Sequence, residues 1–212
     1  MNTFDAIEKR RAIKAFDPDH RLTAEEERKL FEAMIQAPTS FNIQHWRFVV
    51  VRDKELRQKI RANGNDQAQM TDASLLVLFT ADLKAWQKEP ARYWVNAPTE
   101  VADLLVNWMG PFHEGREWLQ RDEAQRSIGM AMQTLMLAAT DMGYASCPMI
   151  GFDIDKVAEL IHLPEDHVMG AMVAIGPVHL ERMGSLDGIV TAKREILEGV
   201  SVGVRVGVFD GV

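Results

Sequence analysis

Leu75-Leu76-Val77-Leu78-Phe79 is a continuous run of apolar residues, and it decides the fold. A strand that is buried on both faces produces such a run, whereas a strand with one face in water alternates apolar and polar residues. We therefore expect residues 75–79 to form a central strand that is buried on both faces.

Two more segments are predicted to be strands. Residues 47–51 are rich in β-branched and aromatic residues, and residues 168–175 form an apolar run that Gly176-Pro177 ends. Helical patterns separate these segments, and strands that alternate with helices indicate an α/β or α+β layered domain.

The helix predictions rest on capping residues and on apolar residues at helical spacing. Thr3 is the predicted cap of a short first helix, with Phe4 and Ile7 facing inward. Thr23-Ala24-Glu25-Glu26 is a capping box, because a hydroxyl at the N-cap is followed three residues later by a carboxylate. The longest helix is predicted for residues 122–142.

The whole chain, residues 1–212, is interpreted as one domain. Residues 82–121 include four of the five tryptophans and are expected to form short helices and loops that leave the core. Residues 178–212 are expected to form an extended C-terminal arm, because their valines alternate with other residues as they do in a strand.

Composition places the chain among globular proteins. Of its 212 residues, 47% are apolar and 26% are charged, which suits one domain with a sizeable core. The net charge of -7 argues against nucleic acid as a partner, because phosphate contacts need an excess of Lys and Arg. No signal peptide is recognised, and no apolar run approaches the length of a membrane span. The expected compartment is therefore the cytoplasm.

The sequence contains no recognisable set of catalytic side chains. It lacks a P-loop, a nucleophile elbow, a zinc-protease motif and a dinucleotide-binding glycine fingerprint. The six histidines are scattered, and Cys147, the only cysteine, is interpreted as a buried small hydrophobic residue. No metal site is predicted, and a bound cofactor is expected to carry the chemistry.

Two segments could hold such a cofactor. Arg10-Arg11-Ala12-Ile13-Lys14 brings three cations to the predicted end of the first helix. On composition alone a solvated helix end is the better interpretation, but the same run can direct guanidinium and ammonium groups at one phosphate. In Ala37-Pro38-Thr39-Ser40-Phe41-Asn42, hydroxyls and amides crowd a turn, where they either stabilise the turn or bind the edge of a heterocycle.

Together the two segments resemble the nitroreductase family of FMN enzymes. The pattern is Arg-Arg-x-Ile-Lys-x-Phe, followed by Ala-Pro-Thr-Ser-Phe-Asn-x-Gln-x-Trp-x-Phe-Val-Val. The run from Asp66 to Ser74, the long helix up to Gly143-Tyr144 and the turn Pro148-Met149-Ile150-Gly151-Phe152 are also similar to the family. The resemblance covers nearly the whole chain.

The resemblance implies that cations bind both ends of the FMN. Arg10 and Arg11 would grip the phosphate and the ribityl chain, and Lys14 would lie near the N1–C2=O edge of the flavin. A positive charge there would stabilise the reduced, anionic flavin. Lys193 and Arg194, late in the chain, would complete the phosphate site.

The other implied contacts surround the flavin ring. One segment packs on the isoalloxazine of the partner subunit, a second reaches the ribityl and pyrimidine edges, and the amide of a turn meets flavin N5. The matching residues are Pro38, Thr39, Ser40 and Asn42 for the first, Asp66, Gln67 and Gln69 for the second, and Ile150 and Gly151 for the turn. The sequence departs from the family at Ala12, where many members have serine, and at His45, where many have proline.

The fold that the resemblance implies is an α+β sandwich with a central, mostly antiparallel or mixed sheet flanked by helices. It forms an intertwined homodimer with two FMN sites at the interface. The implied activity is a ping-pong reduction, by NADH or NADPH, of a small-molecule oxidant such as a nitro compound, a quinone or an activated alkene. No catalytic side chain is required, because flavin N5 carries the hydride.

Three alternatives stay open at this point. The same fold could support dehalogenation or flavin-consuming chemistry, or the protein could bind flavin without turnover. A nucleic-acid-binding module built on Arg10 and Arg11 is the third, and the negative net charge opposes it.

Overall fold

The computed structural model describes residues 1–178. Residues 179–212, which include Lys193, Arg194 and nearly all of the predicted arm, lie outside the described residues. The strands are β1 (Trp46–Val50), β2 (Leu75–Asp82), β3 (Ala145–Met149) and β4 (His167–Gly176). The helices are α1 (Thr3–Lys9), α2 (Ala24–Met34), α3 (Lys54–Ala62), α4 (Gln69–Asp72), α5 (Thr99–His113), α6 (Glu117–Asp141) and α7 (Ile154–Leu160). This is an α+β fold, as predicted, and its antiparallel sheet has the order β1-β2-β4-β3.

Strand β2 is the centre of the sheet, and each of its eight residues is buried. It pairs with β1 on one side and with β4 on the other. Leu75, Val77 and Phe79 face a core that includes residues of α2 and α6, while Leu76 and Leu78 face a core that includes residues of α3 and α7. The predicted central strand is confirmed, and the sheet lies between two layers of helices.

Strand β3 lies at an edge of the sheet and was not predicted from the sequence. Its residues, Ala-Ser-Cys-Pro-Met, include no β-branched or aromatic side chain, so its strand conformation comes from pairing with β4. Pro148 lacks a backbone donor and is tolerated on such an edge. The segment that follows α1 runs along the outer edge of β3. Ala12 forms a β-bridge with Ser146, and the Ile13 amide donates to the Ser146 carbonyl at 3.0 Å.

Helix α6 packs very close to the sheet. A Cβ atom added to Gly170 of β4 would lie 2.8 Å from Ile128 Cγ2 of α6 and 3.1 Å from the Phe79 carbonyl oxygen. Glycine is therefore required where the helix crosses β4. The helix has 25 residues and begins at Glu117, five residues before the predicted start. Neither it nor any other helix within residues 1–178 is long and apolar enough to cross a membrane.

The prediction for α1 was wrong in two respects. Asn2, not Thr3, is the N-cap, and its side chain accepts a hydrogen bond from the Asp5 amide. Phe4 is 83% exposed and Ile7 is half-exposed, whereas the buried residue is Ala6. Helix α1 contacts α6, and it is the small Ala6 rather than Phe4 or Ile7 that is buried on α1.

The tryptophan-rich region leaves the sheet after β2. It forms two 3₁₀ helices, Ala85–Gln87 and Pro90–Trp94, and then α5. Its apolar residues form a small cluster around Ile43, Tyr93 and Met109, separate from the two cores of the sheet. The region is therefore anchored on the turn that precedes β1.

The capping box of α2 is present, and its glutamate is also hydrogen-bonded to a residue next to β3. Thr23 accepts from the Glu26 amide and donates to the Glu26 carboxylate, as predicted. Tyr144, just before β3, donates to the other oxygen of the same carboxylate at 2.6 Å. The Tyr144 hydroxyl and the Thr23 donors lower the pKa of Glu26 to about 2.

Tyr144→Phe should make the stability of the fold less dependent on pH in the acidic range. Because the folded-state pKa of Glu26 is depressed from 4.5, the carboxylate stabilises the fold above that pH and loses this effect as the pH falls toward about 2. We expect the variant to have a lower Tm than the wild type at pH 7, with a gap that narrows below the ordinary pKa. Thermal unfolding followed by circular dichroism across this range tests this, and a gap of constant size would contradict it.

Candidate functional site

The basic run begins where α1 ends. Arg10 is the C-cap residue of α1, and the following residues run beside β3 with Ile13 and Phe16 buried. Ala12 and Lys14 alternate with Ile13 and are exposed. The Arg11 guanidinium donates to the carbonyl oxygens of Glu8 and Arg10 at the end of the helix. The contacts of Arg11 therefore agree in part with the interpretation of the run as a helix end. Lys14 is turned away from the helix.

Lys14 lies near Cys147, a buried thiol that Gln69 contacts. Gln69 is 4% exposed, and its Nε2 lies 4.0 Å from Cys147 Sγ. Burial raises the pKa of the Cys147 thiol, and the nearby charge of Lys14 only partly opposes this. Cys147 is therefore a protonated, buried thiol at neutral pH, which agrees with its interpretation as a small hydrophobic residue.

A chain of amide contacts links Gln69 to the turn after β3. Gln69 Nε2 donates to Gln67 Oε1 at 2.9 Å, and Gln67 Nε2 donates to the Gly151 carbonyl at 2.9 Å. Asn65 Nδ2 donates to the same carbonyl at 3.0 Å. The neighbouring Ile150 side chain is 69% exposed. Three of the predicted residues are therefore brought together here.

Sequence reasoning did not single out Asn65, and it did not anticipate the local ion pair of Asp66. Both have left-handed backbone conformations, with φ of 55° and 53°, and asparagine and aspartate adopt these more readily than most residues. The Asp66 carboxylate pairs with Arg61 of α3 at 2.7 Å. The position of Asn65, directly after the predicted helix stop Asn63-Gly64, was a usable signal for a tight turn.

We call Lys14, Gln67, Gln69, Ser146 and Gly151 the β3 cradle. In and beside it, two buried polar atoms, Arg11 Nε and Ser146 Oγ, have no hydrogen-bond partner within residues 1–178. Over the same residues, no carboxylate lies within 4.0 Å of the cationic groups of Arg10, Arg11 or Lys14. Buried polar groups are normally paired, so these groups fit a polar, anionic ligand.

The second predicted segment lies in a strained turn before β1. Phe41, Asn42 and Gln44 all have positive φ, near 51–52°. Thr39 Oγ1 accepts from the Gln44 amide at 3.0 Å, and Asn42 Nδ2 donates to the Tyr93 carbonyl at 3.0 Å. A phenylalanine at positive φ is unusual, and such strain often accompanies functional turns.

Two buried histidines and an aromatic contact fix this turn to its surroundings. His45 is fully buried, and its Nδ1 lies 3.3 Å from Ser127 Oγ of α6. Burial, and then the nearby His113, lower the pKa of His45 to about 4, so it is neutral at pH 7. The Phe41 ring lies 5.2 Å from the ring of Phe112, at the end of α5.

The structure therefore divides the predicted site residues into two groups within one chain. Arg10, Lys14, Gln67, Gln69 and Gly151 belong to or adjoin the β3 cradle. The other group, Pro38, Thr39, Ser40 and Asn42, lies in the turn before β1 near the tryptophan-rich region. Within residues 1–178, no hydrogen bond or ion pair joins the turn to the cradle.

Comparison with known proteins gives the relatives of the chain. The family model described as Nitroreductase family matches residues 7–177. Protein DrgA of Synechocystis sp. is 69% identical over 176 residues, which cover 83% of this chain and 84% of DrgA. A Bacillus subtilis protein named "Putative NAD(P)H nitroreductase MhqN" is 30% identical over 176 residues, which cover 80% of this chain and 85% of MhqN.

The fold is also found in solved structures. A protein of Exiguobacterium sibiricum, solved in complex with FMN, superposes with a TM-score of 0.79 at 24% identity. The superposition covers 88% of this chain and 92% of that one, so nearly the whole fold is shared. On the family match, with the identity to DrgA beside it, the chain belongs to the nitroreductase family.

Proposed function

We propose that this chain is an FMN-dependent oxidoreductase that uses NADH or NADPH to reduce nitro compounds, quinones or activated alkenes. The observation that carries the proposal is the β3 cradle, where, within residues 1–178, the surrounding cations have no carboxylate partner and two buried polar atoms lack hydrogen-bond partners. A cofactor with a phosphate at one end and a polar ring edge at the other would satisfy these groups. The FMN bound by the Exiguobacterium protein and the printed name of MhqN support the same assignment.

The phosphate would be held by arginines at the end of α1. Arg10 and Arg11 can form paired, charge-assisted hydrogen bonds with phosphate oxygens, which are stronger than bonds to neutral carbonyls. Arg11 would exchange the carbonyls of its own helix for the phosphate. Ala12, the residue after Arg11, offers no hydroxyl to the phosphate or the ribityl chain. We assign Lys193 and Arg194 to the same phosphate site.

The flavin ring would lie against the cradle. Lys14 would face its N1–C2=O edge, where a cation stabilises negative charge on the reduced ring. The side-chain nitrogen of Gln69 donates to Gln67. This leaves Gln69 Oε1 as an acceptor for the pyrimidine edge. Asp66 lies at the ribityl side, and Ile150 and Gly151 supply the turn whose amide would meet N5.

When bound, FMN would accept hydride from NAD(P)H and then deliver it to the second substrate, in a ping-pong cycle. The chain has to orient both substrates over the ring and exclude water, but it need not supply an acid or a base. Trp108 and Phe112 of α5 are exposed, at 58% and 37%, and Phe112 contacts Phe41 of the strained turn. We assign this region as the roof of the pocket, which selects the oxidant.

The complete site would need two chains. The turn before β1 is separate from the cradle of its own chain, so in a dimer it can pack on the flavin of the partner. The surface supports such a dimer, because α1 exposes Phe4 and Ile7 while α6 exposes Met130 beside Gly129. These exposed apolar side chains are available for contact with a second chain.

The flavin proposal is tested by the visible spectrum of the purified protein. We expect a yellow protein, or one that turns yellow on addition of FMN, with absorption bleached by NADH or NADPH without air and restored by a quinone or a nitroarene. A protein that ignores FMN would refute the proposal. A yellow protein that neither nucleotide bleaches would instead be a flavin-binding protein without turnover. The dehalogenation alternative is tested by the kinetics with which halogenated substrates reoxidise the reduced protein.

Arg10→Ala combined with Lys14→Ala should leave a folded protein that binds FMN about 100-fold more weakly or worse. Each substitution removes a charge-assisted contact of about 1.5–3 kcal/mol, and 1.4 kcal/mol corresponds to a factor of ten. Fluorescence titration of the apoprotein with FMN measures the affinity. Lys9→Ala, at the same end of α1 but outside the motif, is the control and should bind like the wild type. Equal affinity in all three proteins would contradict the site.

Gly129→Arg tests the dimer. An added Cβ at Gly129 meets nothing within 4 Å in the single chain, and arginine favours helix more than glycine does, so the fold should be retained. Between two packed α6 helices the side chain would obstruct the contact. We expect sedimentation to show a monomer with greatly reduced FMN binding, whereas Glu159→Arg on the exposed face of α7 stays dimeric. A Gly129→Arg dimer that binds FMN normally would argue against packing through this face.

A further inference from the structure

A second concave site lies at the end of β1 and β2, away from the β3 cradle. This pocket, which we call the β1 pocket, has a volume of about 420 Å³, which is within the range of small-molecule sites. It is lined by Arg21, Leu22, Glu27, Val50, Arg52, Lys54, Arg57, Gln58, Thr71, Ser74 and Leu75. Four of these residues are cations and one is a carboxylate, in a chain whose net charge is -7. The pocket therefore concentrates positive charge on an acidic protein.

The β1 pocket is distinct from the proposed flavin site. Strands β1 and β3 are the opposite edges of the sheet, and three strand spacings of about 4.8 Å separate them by roughly 14 Å. None of the cradle residues lines the pocket. Helix α4 separates the two sites, with buried Gln69 on the cradle side and Thr71 at the pocket.

Arg57 is the most unusual residue of the β1 pocket. It is only 9% exposed, and its guanidinium donates to the carbonyl oxygens of Val51, Ala73 and Ser74 at 2.8, 2.5 and 3.3 Å. Within residues 1–178 no carboxylate lies within 4.0 Å of it. A buried arginine keeps its charge, and a buried charge is costly without a counter-ion. The carbonyl contacts do not supply one, and Glu27, whose charge acts on Arg57 from farther away, already pairs with Arg52.

The neighbouring cations increase the positive potential. Burial, followed by the charges of Arg21 and Arg52, lowers the pKa of Arg57, so these guanidinium groups lie close enough to repel. Among the described residues, Arg21 donates to the carbonyls of Pro18 and His20, each at 2.6 Å. Arg52 is the exception, because Glu27 pairs with it through two hydrogen bonds of 2.9 and 2.5 Å.

We propose that the β1 pocket binds the phosphate group of a small organic phosphate monoester. A phosphate dianion would balance the excess of cations over the single carboxylate, Glu27, and would contact Arg57, Arg21 and Lys54. Leu22, Val50 and Leu75 line the same pocket and would cover the organic part. The volume exceeds what a bare phosphate requires, which favours a ligand with an organic group.

Calorimetric titration of the FMN-loaded protein, freed of excess FMN, tests the proposal with phenyl phosphate as the probe. We expect saturable binding to the wild type and a loss of about tenfold or more for each cation removed in Arg21→Gln plus Lys54→Gln. Both side chains are exposed, so the substitutions should leave the fold intact. Lys59→Gln, an exposed cation on the same α3 helix outside the pocket, should bind like the wild type.

Three further measurements test the location and the ligand. Glu27→Gln should bind phenyl phosphate more tightly than the wild type, because it releases Arg52 from its partner. Inorganic phosphate should bind more weakly than phenyl phosphate, because it leaves the apolar wall in water. In its FMN-free form, Arg10→Ala plus Lys14→Ala should bind phenyl phosphate with the affinity that the FMN-loaded wild type shows.

The proposal is overturned by absent binding to the wild type, by unchanged binding in Arg21→Gln plus Lys54→Gln, or by loss of binding in Arg10→Ala plus Lys14→Ala. The last result would move the phosphate to the flavin site. Equal affinity for inorganic and phenyl phosphate would refute an organic ligand. None of these outcomes depends on electron transfer, so the proposed activity can fail while the pocket is confirmed.

Discussion

Strand β2 exposes none of its eight residues, so both faces of the sheet have to be covered by helices. Residues of α2 and α6 cover one face, and residues of α3 and α7 cover the other. Burial of this one strand therefore sets the layered architecture, because apolar area removed from water is the main source of stability. It also leaves the edges and ends of the sheet as the places where polar chemistry can lie, and the β3 cradle and the β1 pocket both lie there.

The sequence predicted the parts of the fold in which local pattern and burial agree. The run at residues 75–79 and the capping box at Thr23 formed as expected because nothing competes with them. The prediction failed where tertiary contacts decide. Strand β3 exists through its pairing with β4, and the apolar face of α1 follows from close packing at Ala6 rather than from Phe4 and Ile7.

The candidate site shows the same limit. The basic run and residues 67–69 could be identified from the sequence through a family resemblance. Their meeting with Gly151 could not be derived from spacing, because Gln67 and Gly151 are 84 residues apart and only the fold brings them together. Ser146 was missed for the same reason, since its hydroxyl is notable only for being buried without a partner in the described chain.

The close contact of α6 with the sheet has a consequence for evolution within this fold. Residues 128 and 170 are not free to vary independently, because the branched side chain of Ile128 occupies the space that any side chain at Gly170 would need. A larger residue at 170 requires a smaller one at 128, and the Phe79 carbonyl restricts even that exchange. Covariation between these two positions would therefore record how closely helix and sheet approach in each lineage.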